Sequence, residues 1–395
     1  MINQRVIYLD HQATTPVDER VLQEMIPYFR ERAGNPHSTD HVVGWQSSRA
    51  VGDSAGQIAA MIGADPDEII FTSGATEANN LALLGLAGRR INQRRNRILV
   101  SKIEHKSVLA TVNVLKERFG YLVQTLPVDA EGRVSVHALE NALDDTVLAV
   151  SIMIVNNEIG TIQDIRNLSI AARRAGAIIH SDAAQAPLAI DITTLAQDVD
   201  LISLSGHKMR GPPGIGALYI RRSLHEQIEP LIHGGGQQNG LRSGTVPAPL
   251  CVGMGAAAEL LRASFTHQAR LELQNRRDMF VDKLCSLPWN ITVNGPATNR
   301  RHPGNANICF HSFTAHDILN ALQPSLAAST GSACTSGVSA PSHVLRAIGL
   351  SGDDAESSIR FSFAFETTDE DIDAAVVFIA EALGRLSQMG AAQSA

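Results

Sequence analysis

The sequence predicts an α/β protein with two domains, the larger of which is built on a mostly parallel sheet. Three observations lead to this fold class. The chain has 395 residues, more than a typical single domain. Over its first two thirds, short apolar runs alternate with helical patterns of about 10–15 residues, which is typical of βαβ units. After about residue 249 the pattern changes to short strands between helices, which indicates a smaller α+β domain.

Seven apolar runs predict the strands of the larger domain: residues 68–72, 98–101, 121–127, 147–155, 177–180, 201–204 and 215–220. Periodic apolar positions predict helices at residues 18–30, 76–86, 106–119 and 165–174. A further helix is predicted between the loop at residues 34–38 and about residue 62. The first helix begins at Asp18, a favourable N-cap residue. Helices between successive strands cover both faces of a parallel sheet. The strand at 215–220 is expected at or near an edge of that sheet.

The second part of the chain predicts strands at 291–294, 307–310 and 358–363 and helices at 316–322, 342–348 and 369–386, after a helical stretch at 249–284. A short strand at 6–10 is expected to join it. The larger domain is therefore predicted at residues 14–260 and the smaller one at residues 1–13 with 261–395. A ligand site is expected beyond the carboxyl ends of the parallel strands, in the cleft between the domains.

Composition excludes several classes of function. The net charge of −7 and the absence of a Lys/Arg-rich run argue against nucleic acid as a direct ligand. No apolar stretch approaches the ~18 residues that span a membrane, and the first residues carry no signal-peptide core. The four cysteines show neither CxxC nor metal-type spacing, which argues against a disulfide framework or a zinc site. A cytoplasmic protein is expected.

A lysine follows the buried strand at 201–204, in the segment Ser205-Gly206-His207-Lys208. An amine at the end of a buried strand is partly desolvated, which lowers its pKa and suits it to form a Schiff base. On its own, such a pattern marks a solvated loop lysine about ten times as often as a catalytic one. Whether Lys208 is a catalytic lysine therefore depends on which residues follow the other strands.

Several other strand ends also carry polar residues, among them Asn156, Asn157 and Glu158 after the strand at 147–155. Residues 73–76 lead into a helix, whose free N–H groups and dipole favour a phosphate. His105 follows the strand at 98–101, and Asp182 follows the strand at 177–180. Each feature alone is more often structural. Together with Lys208, they supply the anchor, the partner for a pyridinium nitrogen and the Schiff base that pyridoxal 5'-phosphate requires.

With these residues in place, the chain resembles the cysteine desulfurases, which are pyridoxal-phosphate enzymes of fold type I in the class V aminotransferase superfamily. The resemblance runs nearly end to end. It rests on an ordered series of motifs: YLDHQATTPVD, FTSGATEANN, IEHKSV, VNNEIGTIQ, HSDAAQ, LSGHK, HGGGQQNGLRSGT, STGSACTSG and SIRFS. It implies a mainly parallel seven-stranded sheet in the larger domain, and a smaller α+β domain that carries a long, mobile cysteine loop at about residues 328–340.

The resemblance also implies roles for individual residues. The catalytic residues would be Cys334, Lys208 and His105, with Lys208 holding pyridoxal phosphate as a Schiff base. The cofactor would contact Ala75, Thr76, His105, Asn157, Asp182, Gln185, Ser205, His207 and Lys208, and Thr245 would reach the cofactor phosphate in the partner subunit of a homodimer. The substrate would contact Arg360, Asn35 and Asn157, with Arg360 binding the α-carboxylate. No metal is expected.

Cys334 lies in a segment, residues 328–337, that otherwise contains only Ser, Thr, Gly and Ala, so an exposed and mobile loop is expected. Cys251 and Cys309 stand beside apolar residues and are expected to be buried. The resemblance implies that Cys334 takes the sulfur of L-cysteine as a persulfide and that L-alanine is released. The sulfur would then pass to an acceptor such as an iron–sulfur scaffold or a sulfurtransferase.

Several points stay open at this level. His11 stands in DHQATT where DNNATT is common in the family, and its role is undefined. Iron–sulfur assembly, tRNA thiolation and DNA sulfur modification all use such enzymes. The alternatives are a selenocysteine lyase or class V aminotransferase on the same fold, or a non-catalytic sulfur-relay protein that binds pyridoxal phosphate. Cys334 favours the desulfurase, because transamination requires no thiol.

Overall fold

The computed structural model describes residues 6–88, 94–331 and 341–393. Its strands are β1 (Ile7–Tyr8), β2 (Ile69–Thr72), β3 (Arg97–Ser101), β4 (Leu122–Leu126), β5 (Val147–Ser151), β6 (Ile178–Asp182), β7 (Leu201–Ser205), β8 (Gly216–Ile220), β9 (Ile291–Asn294), β10 (Asn305–Phe310), β11 (Leu326–Ala327) and β12 (Ser358–Ser362). Its helices are α1 (Glu19–Phe29), α2 (Val42–Ile62), α3 (Ala75–Gly88), α4 (Lys106–Phe119), α5 (Val136–Ala142), α6 (Ile165–Arg174), α7 (Leu195–Asp198), α8 (Ala248–Ser264), α9 (His267–Cys285), α10 (Ala315–Ala321), α11 (His343–Ala347), α12 (Gly352–Glu356) and α13 (Asp369–Gln393). Within these ranges, no helix combines the length and the hydrophobicity needed to cross a membrane.

Seven strands form the main sheet, in the order β2-β8-β7-β6-β5-β3-β4. Neighbouring strands are parallel except at β8, which runs antiparallel to both β2 and β7. The predicted α/β class with a mainly parallel seven-stranded sheet is therefore confirmed. The strand now labelled β8 was expected at or near an edge of the sheet, and it lies next to the edge strand β2. Because β3, β5, β6 and β7 run in the same direction, their carboxyl ends meet at one rim of the sheet.

Alternate residues of the central strands pack against helices on opposite faces of this sheet. Ile70 and Leu218 pack with Leu81 and other buried residues of α3. Ile202 and Leu204 belong instead to the cluster that includes α2 and α8 on the other face. All five side chains are almost fully buried. Truncation of Ile202 to alanine is therefore expected to cost about 2–5 kcal/mol of stability, so the strands are a firm support for the residues at their ends.

Gly216, at the start of β8, allows the loop after β2 to come close to the end of β7. It pairs with Thr72 on one side and with Ser205 on the other. A Cβ atom at position 216 would lie 2.6 Å from the Cα of Gly74 and from the carbonyl oxygen of Leu204, so only glycine fits. The close contact sets the amino-terminal end of α3 beside Ser205.

A second, antiparallel sheet has the order β12-β10-β9. Phe361 of this sheet packs against Phe280 of α9, with ring centroids 5.0 Å apart. The amino-terminal segment also reaches this sheet, because β1 pairs with β11 and the carbonyl of Leu9 accepts a hydrogen bond from the N–H of Ser362. Residues that follow β1 therefore lie beside β12. The domain boundaries given above stay a prediction.

Some elements differ from those that the sequence predicts. β5 ends at Ser151 instead of residue 155, because the N–H of Met153 donates to the Glu104 carboxylate, 2.6 Å away, and not to a neighbouring strand. The predicted helical stretch at 249–284 is two helices, since Thr266 accepts a hydrogen bond from the N–H of Ala269 and caps α9 separately. The sequence pattern missed the short helices α5, α7 and α12, which have seven, four and five residues.

Candidate active site

Lys208 lies directly after β7, in the 3₁₀ turn Gly206–Lys208. Its Nζ donates a hydrogen bond to the carbonyl oxygen of Gln12 at 3.0 Å. Burial, reinforced by the positive charge of Arg360, lowers the pKa of Lys208 to about 8. A substantial fraction of this amine is therefore neutral at mildly alkaline pH, which is the form that attacks a carbonyl carbon.

A hydrogen-bond network joins Asp182, at the end of β6, to His105. Oδ2 of Asp182 accepts from Nδ2 of Asn79 at 2.7 Å. The same nitrogen donates to Oγ of Ser107 at 2.9 Å, and that oxygen lies 2.8 Å from Nδ1 of His105. Asn79 is fully buried in α3. One amide group therefore fixes the positions of two predicted site residues.

His105 caps α4, and its Nδ1 accepts a hydrogen bond from the N–H of Ser107 at 3.1 Å. In the neutral ring the proton is consequently on Nε2. Burial lowers the pKa of His105, so the imidazole is neutral at physiological pH. Nε2 is the ring nitrogen that stays available to a ligand.

We use the name Asp182 cavity for a space of about 430 Å³ between the amino-terminal end of α3 and the carboxyl ends of β6 and β7. The predicted residues that line it are Ala75, Thr76, His105, Asp182, Ser205, His207 and Lys208. The first N–H groups of α3 have no acceptor within the helix and carry the positive end of its dipole, so this wall favours an anion. Glu77 holds the loop in place, accepting from the N–H of Ser73 at 2.7 Å and from Arg242 at 2.9 Å.

We use the name Arg360 cavity for a neighbouring space of about 320 Å³, lined among others by His105, Asn157, Lys208 and Arg360. The side chain of Arg360 is buried, with Nη2 2.6 Å from Oδ1 of Asp10 and Nη1 donating to the carbonyl of Asn157 at 2.7 Å. Its Nε is buried and has no hydrogen-bond partner among the residues that the structure describes. An unpaired guanidinium N–H is costly to bury, so this wall also favours an anionic ligand.

Lys208 and His105 line both cavities, which therefore open onto the same amine. A larger cavity of about 520 Å³ lies elsewhere, with Thr193 and Arg270 in its wall, and none of the predicted site residues that the structure describes lines it. The two smaller cavities are therefore distinguished by the charged and polar residues that line them, and not by their volume.

The remaining predicted residues are placed differently. Nε2 of Gln185 donates to the carbonyl oxygen of Gln12 at 2.9 Å, the same oxygen that Lys208 contacts, so Gln185 lies next to the site. Asn35 and Thr245 are exposed and line neither cavity. Cys334 lies outside the described residues. The roles given to these residues stay predictions.

Three residues near the cavities were given no role by the sequence reasoning. Asn79 lies among the apolar residues of α3. A polar residue at an apolar position of the helix was the one indication in the sequence that Asn79 has a special role. Asp10 forms an ion pair with Arg360, and Glu158 lines the Arg360 cavity. Burial raises the pKa of Glu158, whose carboxyl group accepts a hydrogen bond from Ser342. A raised pKa favours the neutral form of this carboxyl group, which opposes an anionic ligand less than the ionised form does.

Comparison with known proteins identifies the family of the chain. The class-V aminotransferase family matches residues 7–375. The cysteine desulfurase IscS of Rickettsia rickettsii (strain Iowa) is 42% identical, over 96% of this chain and 92% of that protein. The chain belongs to the cysteine desulfurase family. IscS of Rickettsia typhi (strain ATCC VR-144 / Wilmington) is 43% identical, over 97% of this chain and 92% of that protein.

Solved structures support the same family. A NifS-like protein has a TM-score of 0.89 at 34% identity, covering 96% of this chain and all of that one. A structure of SspA in complex with cysteine has a TM-score of 0.79 at 36% identity, covering 90% and 98%. The fold is thus the fold type I architecture of desulfurases, a family of enzymes that depend on pyridoxal phosphate.

Proposed function

We propose that this desulfurase takes the sulfur atom of L-cysteine as a persulfide on Cys334, releases L-alanine and passes the sulfur to an acceptor protein. The observation that carries the proposal is the meeting of two anion-favouring cavities at Lys208 and His105. One cavity suits a phosphorylated cofactor, and the other suits the carboxylate of an amino acid.

The Asp182 cavity fits pyridoxal phosphate by the chemistry of its walls. The amino-terminal end of α3, with Ser205 and His207 opposite, provides donors for a phosphate. Asp182 is held by Asn79 and by the N–H of Ala184 at 2.9 Å, a fixed carboxylate for a pyridinium nitrogen. When bound, pyridoxal phosphate supplies an electron sink for negative charge at the substrate α-carbon.

Lys208 has two tasks in this proposal. Its neutral amine, favoured by the lowered pKa, would hold the cofactor covalently. Because Lys208 lies at the junction of the two cavities, the same amine would also be placed to take the substrate α-proton. His105 lines both cavities and, with the proton of its neutral ring on Nε2, can donate that proton during the reaction.

Arg360 is proposed to bind the substrate carboxylate, with Asn157 beside it. No described residue is a hydrogen-bond partner for its Nε, while Asp10 and the carbonyl of Asn157 fix the plane of the guanidinium group. A planar, fixed donor orients an amino acid so that the α-carbon faces Lys208. Asn35 is proposed to support the same end of the substrate.

Cys334 is proposed to attack the substrate sulfur as a thiolate. The reaction balances as L-cysteine plus Cys334–SH giving L-alanine plus Cys334–S–SH. Ser329 and Gly331, which line the Arg360 cavity, precede Cys334 by five and three residues in the sequence. That placement, and the cysteine bound to the SspA structure, support the proposal.

A homodimer with shared sites is part of the proposal. Thr245 is exposed in one chain and lines neither cavity, so it would serve the cofactor phosphate only from a second subunit. The final acceptor is proposed to be a protein such as an iron–sulfur scaffold or a sulfurtransferase.

The test is the release of alanine and sulfide from L-cysteine, with a reductant present, by the native enzyme and by Cys334→Ala. We expect equal amounts of both products from the native enzyme. Cys334→Ala should keep its cofactor absorbance and release more than about 100-fold less sulfide, because the nucleophile is gone. Cys285→Ala, which removes another cysteine, is the matched control. Unchanged sulfide release by Cys334→Ala would favour a selenocysteine lyase or an aminotransferase instead.

A further inference from the structure

A cluster of three metal-ligating side chains lies at the end of β10, apart from both cavities. We use the name Cys309 cluster for Cys309, His311 and Asp354. Cys309 is the last but one residue of β10, His311 follows the strand, and Asp354 comes from α12. The sequence argued against a zinc site, because the spacing of its cysteines showed none. The fold brings Asp354, which follows Cys309 by 45 positions and His311 by 43, to this cysteine and histidine.

The distances within the cluster suit a metal ion. Sγ of Cys309 lies 3.8 Å from Nδ1 of His311 and 3.9 Å from Oδ1 of Asp354, and the latter two atoms are 3.0 Å apart. A circle through these three atoms has a radius of about 2.1 Å, within the range of about 2.0–2.3 Å for zinc–ligand bonds. An ion would therefore fit between them with movements of a few tenths of an ångström.

Neighbouring groups orient each ligand toward this point. Oγ1 of Thr292 is 2.9 Å from Nε2 of His311, which leaves Nδ1 directed at the cluster. Oγ of Ser351 donates to Oδ2 of Asp354 at 2.7 Å, which leaves Oδ1 directed there. Hydrogen bonds from outer groups to ligating histidines and carboxylates are typical of metal sites. Cys309 is buried, whereas the side chains of His311 and Asp354 are 27% and 37% exposed, so an ion has access from solvent.

We propose that the Cys309 cluster is a binding site for one Zn²⁺ per chain. Sulfur, imidazole and carboxylate together are a donor set that zinc accepts, and three protein ligands leave the fourth position of a tetrahedron to water. On binding, the Cys309 thiol releases its proton to solvent and coordinates as the thiolate. The ion ties the end of β10 to α12, so its role is to stabilise the smaller sheet. It takes no part in the sulfur transfer.

The test uses Zn²⁺ alone, added to metal-free Cys334→Ser protein, so that the proposed sulfur-carrying thiol does not contribute. We expect one ion per chain by calorimetry and, with Co²⁺ in place of Zn²⁺, a thiolate-to-metal charge-transfer absorption. Cys309→Ser and His311→Asn in the same background should each bind at least about tenfold more weakly, and both should lose the rise in Tm that zinc gives. Cys285→Ser in that background should match the Cys334→Ser protein.

Two results would overturn the proposal. One is the absence of stoichiometric Zn²⁺ binding by the Cys334→Ser protein. The other is unchanged binding when Cys309 or His311 is replaced. Should Cys309→Ser fail to fold, His311→Asn changes a partly exposed residue and decides the question. Sulfide release from cysteine is independent of this outcome.

Discussion

The Asp182 cavity and the Arg360 cavity share a lysine but are built from different parts of the chain. The first is formed mainly by residues in the segments that follow the strands of one sheet. The second brings Asp10, Asn157, Ser329 and Arg360 together from four distant segments. The cofactor side of the site therefore depends on the geometry of a parallel sheet, and the substrate side depends on how the two sheets pack.

The largest effect is expected where the cavities meet. Lys208→Arg keeps the positive charge but cannot form a Schiff base, and we expect kcat to fall more than about 1,000-fold. The cofactor should still bind, through its phosphate and ring, with a changed absorbance. Turnover assays and difference spectra measure both. Lys102→Arg, at an exposed position, should behave as the native enzyme. A Lys208→Arg variant with a tenth of native activity would contradict the proposed role.

The substrate side should respond separately from the cofactor side. Arg360→Lys loses the planar donor, and we expect kcat/KM for cysteine to fall about 100-fold. A loss of that size corresponds to the free energy of one charge-assisted hydrogen bond. The dissociation constant of pyridoxal phosphate should stay the same, as measured by fluorescence titration of the apoenzyme. Arg385→Lys is the exposed control. Equal losses in cofactor and substrate affinity would mean that the cavities do not work independently.

Activity should also fall when the side chain that holds the Asp182 carboxylate on the cofactor side is removed. Asn79→Ala takes one donor from the Asp182 carboxylate and one from Ser107, and we expect a drop of about tenfold in kcat. Because Asn79 acts through Asp182, the pH at which the bound cofactor changes its absorbance should shift as well. A merely structural residue would leave that transition unmoved. Asn80→Ala, one residue along the helix, is the matched control, and the same shift in both variants would contradict the role.

The smallest effect concerns pH. Only neutral Lys208 captures the cofactor aldehyde, and burial lowers the pKa of this amine to about 8. Capture is therefore slow below this pH, where the amine is protonated, and reaches a plateau above it. We expect the rate constant to rise about fourfold between pH 7.5 and 9 in stopped-flow mixing of apoenzyme and pyridoxal phosphate. A rate that keeps rising to pH 10 would indicate an ordinary lysine pKa.

The two cavities also differ in how far the sequence alone predicts them. The ends of β3, β6 and β7 follow from apolar runs, and the parallel direction of the strands puts the polar residues after them at one rim. Asp10 and Arg360 are 350 positions apart, and no local pattern predicts their ion pair. Asn79 was missed for a related reason, since a helical period shows which face is buried but not which carboxylate an amide on that face reaches. The Cys309 cluster likewise depends on packing between β10 and α12.

The most direct measurement of the shared site is reduction of the holoenzyme with borohydride, followed by mass mapping of its peptides. Reduction fixes a Schiff base to the nitrogen that carries it. We expect the cofactor mass on the peptide that contains Lys208, and we expect it to disappear from that peptide when excess L-cysteine is added before the reductant. A label on another lysine, or one that cysteine fails to displace, would contradict a site in which cofactor and substrate meet at Lys208.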